Sequence, residues 1–489
     1  MQKIFLYRRY TRRYTLLLFQ FFLVFMGAHA QKTLDIQQIL KLSEYESVDG
    51  QQSERKAQIS FWQYRLHLSG NKPRLLLNGE LPNLSRTIIP VTQNDGSETF
   101  RERSLATSLL ELSLVQNIAP TGGTFFASSQ INRIDIFSNP TTTSYLSYPV
   151  LVGFRQPIGS FNALKWANKI EPFKYEESKK KFLEDLEMSK VKGLQLFFNL
   201  LYSQENIAIA KRQLINADTL FQLAKKRLNV GKITENEFLR NEINFLQAEQ
   251  DNQQSIAEFL FALRQFQTFF YFKDSIKLIK PQAPPKVEIN KDVAIERLKQ
   301  NSTKALQIQR KLLEADRELA QARANAGLKM DITVSFGLSK SSTSLANLYN
   351  RLQDQESARL TFQVPILDWQ RGKSEIKIAT LNKKNIESQT NQEILDLETE
   401  LIRQIHIWEL AQKQLAIAQK TQESAEKSYQ ITFQEYLGGF TGLSELDKAL
   451  EAKNLASQNY LRQLESIWIG YYKIRLLCLY DFEKKISLD

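Results

Sequence analysis

The sequence has 489 residues, 42% of them hydrophobic and 24% charged, with a formal net charge of +12. That supports a sizeable core, and two or three ordinary domains or one elongated one. A single cysteine excludes a disulfide framework, and three histidines leave little for metal or acid–base chemistry. No basic patch interleaved with aromatics occurs, which argues against nucleic acid as a partner.

The chain opens with a targeting signal. "YRRYTRR" is basic, "LLLFQFFLVFMGA" is a short apolar run, and Ala28–His29–Ala30 has the small-x-small form of a cleavage site. The expectation is a signal peptide over residues 1–30, removed before Gln31. No later run of 18 apolar residues occurs, so any membrane crossing must use strands.

A first helix is expected from Leu34 to about Gly70, then strand-like chain from Lys72 to Ile158. A long helical run follows from about Ala163 to Phe272, broken only near Gly231. "KPQAPPKVE" (Lys280–Glu288) reads as a proline linker, with 281–288 as its centre. The order then recurs: a helix over about Asp292–Ala326, strands over about Leu328–Ile366, and a helical run from Trp369 to Phe482, broken only near Gly438 and Gly439. The chain therefore divides into repeats at 31–280 and 289–489.

The repeat holds register. Phe154–Ile158 ("FRQPI") lies 208 positions before Phe362–Ile366 ("FQVPI"), and Gly231 lies 208 before Gly439. Pro157 and Pro365 thus mark matching strand-to-helix crossings. Ala217 matches Ala425, Phe221 matches Tyr429, and Glu237–Phe238 matches Glu445–Leu446. At 1.5 Å per residue the helical run before Gly231 would reach about 100 Å, and its length is the same in both halves. Leu194, Phe197, Phe198 and Leu201, and Ile394, Leu397, Leu401, Ile405 and Trp408, fall at the three-and-four spacing of helices packed lengthwise.

The strands alternate. Met330, Ile332, Val334, Phe336 and Leu338 point one way, with Asp331, Thr333, Ser335 and Gly337 between them. Leu360 and Phe362, Leu110, Leu112 and Leu114, and Val150, Val152 and Phe154 do the same. About 9–11 such residues span a bilayer as a tilted strand. Each half offers about two convincing strands, and about four per chain cannot close a barrel that needs eight. Several chains would have to share one. The first half carries an extra segment, about 105–137, that looks like a hairpin turning at Pro120–Gly123; the sequence does not place it in or out of the sheet.

These features together resemble the TolC-like outer-membrane efflux protein family, over about Thr33–Phe482. The residues that carry the likeness are the duplication, the two "PI" crossings, "AKKRLNVGKITENEF" and "SYQITFQEYLGGFTGLSEL". The resemblance implies a mainly α fold with transmembrane β. Long helical hairpins would form a trimeric α-barrel tunnel joined to a shared 12-stranded outer-membrane β-barrel. It implies a homotrimer in the outer membrane of a Gram-negative bacterium, bound by its lipid and extending into the periplasm. Its partners would be a periplasmic adaptor and, through that, an inner-membrane pump. The implied activity is passive export in a tripartite efflux or type I secretion system, with no cofactor, metal or catalysis. Arg227, Val230, Gly231 and Lys232, with Gly438, Gly439, Phe440 and Thr441, become adaptor-contact candidates at the hairpin tips. Glu445, with Asp447 beside it, becomes the candidate periplasmic gate; the family's next acid falls on Lys448. The residues alone also allow an exported coiled-coil scaffold or adaptor with soluble β-regions, and detergent dependence separates the two.

Overall fold

The computed structural model describes residues 32–137, 140–273, 276–284 and 287–488; the signal peptide expected over 1–30 lies outside them. In chain order they form β1 (Lys32–Leu34), α1 (Ile36–Tyr45), α2 (Val48–Gly70), β2 (Arg74–Thr92), β3 (Glu98–Ile118), β4 (Gly123–Ile136) and β5 (Thr142–Ile158). The first long hairpin follows as α3 (Ala163–Asn229) and α4 (Glu235–Phe270), then β6 (Ile276–Leu278). The second half gives α5 (Lys291–Asn301), α6 (Thr303–Ala326), β7 (Lys329–Ser342), β8 (Gln353–Gln363), α7 (Arg371–Gly438) and α8 (Leu443–Cys478), ending in the short pair β9 (Tyr480–Asp481) and β10 (Ile486–Ser487).

Both helices expected as single pieces are broken by a serine. Ser47 Oγ accepts the Gly50 N–H at 2.9 Å, starting α2 afresh. Ser302 caps α6 by accepting the Ala305 N–H. A cap that satisfies an orphan N–H lets the chain change direction at little cost.

Two compact units exist, and neither follows the repeat boundary. One takes the described residues of Met1–Arg55, Phe182–Asn301 and Glu398–Asp489; the other takes Lys56–Lys181 and Ser302–Leu397. The core of the first is aromatic and aliphatic: Leu194, Phe197, Phe198, Leu201, Phe266, Phe270, Ile39 and Leu464 are almost fully buried. The parallel pair β1–β6 closes one side of it. Gln204 of α3 grips that pair, accepting from Leu278 N–H at 2.9 Å and donating to its carbonyl at 3.1 Å. Charge enters this core only when paired. Arg475 of α8 holds both carboxylate oxygens of Glu187, at 2.9 and 3.0 Å, and also pairs with Asp481. A buried charge without such partners would cost several kcal/mol.

The second unit holds a six-stranded antiparallel sheet in the order β2-β3-β4-β5-β7-β8. This corrects the expectation of four strands. The extra hairpin of the first half is β3–β4, and it is inserted into the sheet between β2 and β5. Its turn sits beside the start of α3, where Asn162 donates to the carbonyl of Ala119 at 2.8 Å. Three register shifts, at Glu80/Asn83, Ser128/Gln130 and Ser147/Val150, put one extra residue on β2 and one on β5 and swap their faces partway along, while β4 carries polar and apolar residues on both faces.

Candidate functional site: the hairpin tips and the sheet

The two hairpins reverse by the same device. At the first, Gly231 N–H donates to Leu228 and Lys232 N–H to Arg227, at 2.9 and 2.8 Å. At the second, Gly439 N–H donates to Tyr436 and Phe440 N–H to Glu435, at 3.1 and 2.9 Å. Each acceptor lies 208 positions from its counterpart. Both glycines have φ near the left-handed region, +66° and +81°, where a Cβ residue is strained. Gly438 serves differently: a Cβ there would come within 2.7 Å of the Phe440 ring, which lies over it.

The tips then diverge. Thr234 caps α4 in a capping box, accepting from Glu237 N–H while Glu237 accepts from Thr234 N–H, each at 3.2 Å. The equivalent cap of α8 is Gly442, which has no side chain to offer. Glu445 is therefore released from capping and accepts from Lys448 at 3.0 Å on an exposed surface.

Behind the tips, Leu220, Tyr429 and Leu446 form a small buried knot, backed by Phe433, Tyr436 and Leu443. Phe221 stacks on Phe245 and meets Phe238. Polar groups line the clefts around it. One cleft, of ≈ 340 Å³, is bordered by Arg227, Glu237, Arg240, Tyr436, Gly439 and Thr441. Another, of ≈ 170 Å³, is bordered by Asn216, Asn241, Asn244, Asp251, Tyr429 and Asp447. Asn216 donates to the Tyr429 hydroxyl at 2.8 Å. Burial raises the Asp447 carboxyl above its usual range, against the Asn244 hydrogen bond and the nearby Arg240.

The structure thus separates the two gate candidates. Glu445 faces solvent beside Lys448, whereas Asp447, also exposed, borders the cleft beside Asn244. Residues two apart on a helix do not share a face, a signal already present in the sequence. Of the adaptor-contact candidates, Val230 is 66% and Phe440 87% exposed, two apolar side chains standing free on polar tips. Arg227 lies in the cleft wall rather than at the apex. Pro157 stays inside β5, paired with Asp331, while Pro365 falls just beyond the end of β8.

The sheet has one apolar face. Register aligns Leu75 with Leu114, Ala127, Val152 and Phe336, and Leu77 with Leu112. Val334, Leu360 and Phe362 continue the same face. Leu75, Leu77, Leu112, Phe336, Leu360 and Phe362 are all exposed. The other face carries Glu111, Ser113, Ser128, Arg155, Asp331, Thr333 and Arg359, with Arg155 paired to Asp331 at 2.9 Å. The β2–β3 hairpin extends past the apolar band with charge on it, including the Arg86–Glu102 pair. Among the described residues no helix is long and apolar enough to cross a membrane, and no cluster of three or more ligating side chains occurs.

The sequence pattern of outer membrane efflux proteins matches residues 123–263 and 294–468 of this chain. The chain belongs to the outer membrane efflux protein family. No curated protein matches it. Its fold is similar to solved members at low identity. The CmeC outer membrane channel of Campylobacter jejuni superposes with a TM-score of 0.65 at 12% identity, over 93% of this chain and 86% of that one. VceC of Vibrio cholerae gives 0.61 at 9%, over 93% and 97%. The MtrE outer membrane channel of Neisseria gonorrhoeae gives 0.60 at 14%, over 91% and 88%. The family match begins at Gly123, so β2 and β3 lie outside it.

Proposed function

We propose that this chain is the outer-membrane duct of a tripartite efflux or type I secretion system, a passive conduit with no catalysis of its own. Three copies share one β-barrel and one helical tunnel across the periplasm. The hairpin tips meet a periplasmic adaptor, and the energy comes from an inner-membrane pump beyond it. Export follows cleavage of the signal peptide near Ala30.

The observation that carries this reading is the two-faced sheet. A contiguous exposed apolar face is costly in water and matched by lipid. Its opposite face, polar and salt-bridged, suits an aqueous lumen. An exported scaffold would leave that apolar face without a partner. At the tips, exposed Val230 and Phe440 give an adaptor two apolar anchors, with Gly231, Lys232, Gly439 and Thr441 around them. A threefold ring of Glu445 would favour cations at the tunnel mouth, partly offset by Lys448. Asp447 would stiffen each tip from the cleft edge, through Asn244.

Two measurements test the reading. Inserted into planar lipid bilayers, the detergent-solubilised protein should carry ion current in unit steps; an intact complex that leaves bilayers sealed would contradict a duct. In cells, a photo-crosslinker at Lys232 or Phe440 should capture an adaptor anchored to the inner membrane, while one at mid-helix Thr421 should not.

A further inference from the structure

We infer that the shared barrel of this protein has eighteen strands, six from each of three copies, with β8 of one copy sealed against β2 of the next. This rests on the trimeric duct proposed above and changes its dimensions.

The sheet has two open edges, β2 and β8. A strand edge facing lipid leaves backbone groups unsatisfied, which the bilayer does not allow. All five neighbouring pairs are antiparallel, so β2 and β8 run in opposite directions. The next copy's β2 would then meet β8 antiparallel, and the alternation would continue round the ring. A second copy of this chain is the occupant that satisfies both edges at once.

The apolar band gives the register of the seam. Level with Leu75, the ladder passes through Leu114, Ala127, Val152 and Phe336 to Glu356 on β8. Yet the apolar residues of β8 on that face are Ala358, Leu360 and Phe362. From Glu356 to Phe362 the band has slid six residues. Continuity of the band round the ring therefore sets Phe362 beside Leu75 of the next copy, with Leu360 beside Leu77. The slide is then about one residue per strand step. With a rise of about 3.3 Å and a strand spacing of about 4.8 Å, that is a tilt of about 35°, within the range of closed barrels.

The length of the seam fits as well. Pro82 and Pro90 interrupt β2, and neither can donate across an edge. Below Pro82, Arg74–Leu81 offers a proline-free stretch facing Glu356–Gln363. Above it, the charged β2–β3 hairpin needs no neighbour, because it extends beyond the apolar band.

Barrel diameter grows about linearly with strand number, so eighteen strands make a wall about one and a half times as wide as twelve. At that size a barrel keeps an aqueous lumen without a plug. The polar face bearing Arg155, Asp331, Thr333 and Arg359 would line it.

Electron cryomicroscopy of the full-length protein in detergent counts the strands directly, and eighteen are expected. A seam disulfide checks the same point by another route. On the lumen face Thr361 lies opposite Leu76 of the next copy, so L76C with T361C should yield covalent three-chain species, and either change alone should not. Cys478 is fully buried and stays in place. A three-chain particle with twelve wall strands and the β3–β4 hairpin outside the wall would overturn the inference and leave the duct intact. A three-chain particle whose seam pair stays uncrosslinked while an L75C, F362C pair on the lipid face does too would also overturn it. A mass of one, two or four chains would overturn the trimeric duct itself.

Discussion

The two hairpin tips share a reversal and differ in nearly everything attached to it. Gly231 and Gly439 turn the chain with the same pair of backbone hydrogen bonds, 208 residues apart. That reversal is dictated by backbone geometry, which only a residue free to adopt positive φ meets cheaply. The cap that follows can be built in several ways, and here the two halves part. The first tip ties Glu237 into a capping box with Thr234. The second puts Gly442 at the cap and frees Glu445. A duplicated hairpin can therefore keep its shape while one copy surrenders local stability and gains an exposed carboxylate.

The largest effects belong to the reversal that the two tips share. G231V and G439V should each cost about 1–2 kcal/mol of local stability, because both place a branched side chain at positive φ. The two costs should agree, since nothing lies within 4 Å of either Cβ position. Hydrogen exchange at Lys232 and Phe440 would read them; very unequal losses would mean the reversals are not equivalent.

Removing the cap should act on one tip only. T234A should cost about 1 kcal/mol by freeing the first-turn N–H groups of α4. The reverse change, G442S, should stabilise the second tip by only a few tenths, because glycine is itself a tolerated cap. A large gain from G442S would show that the second tip lacks more than a cap.

Asp447 should give the tips different pH responses. Its folded-state pKa lies above the ordinary value, so it favours the folded tip most when protonated. That contribution is present below the unfolded pKa, near 4, and is lost as pH rises through the raised value. Exchange protection in the first turns of α8, corrected for intrinsic rates, should fall over that window, and D447N should flatten it. The α4 start, whose equivalent position is Leu239, should show no such trend. K448A should have the smallest effect, below about 0.5 kcal/mol, since its pair with Glu445 is exposed.

Much of the architecture was legible in the sequence. The duplication, both reversals and the alternation on β7 and β8 depend on spacing, which a sequence displays directly. The strand count was not legible. β2 and β5 are interrupted by bulges that exchange faces, β4 puts Arg133 and Asp135 on one face and Phe126 and Ile134 on the other, and the β2–β3 extension mixes polar and apolar residues on both sides, so no single period covers them. The capping box was present as Thr234-x-x-Glu237, a local signature, and its absence at Gly442 explains why Glu445 stands apart. The fate of Asp447 needed the fold, because its cleft is built from α3, α4, α7 and α8 together. Partial desolvation by neighbouring helices leaves no mark at the residue itself.

The most direct test of a shared trimeric duct is the native mass of the mature protein extracted from outer-membrane fractions, by light scattering with the detergent subtracted. A mass near three chains, obtained only in detergent, is the predicted result. A monomer or dimer soluble in plain buffer would contradict it, and the apolar face of the sheet would then need a different partner.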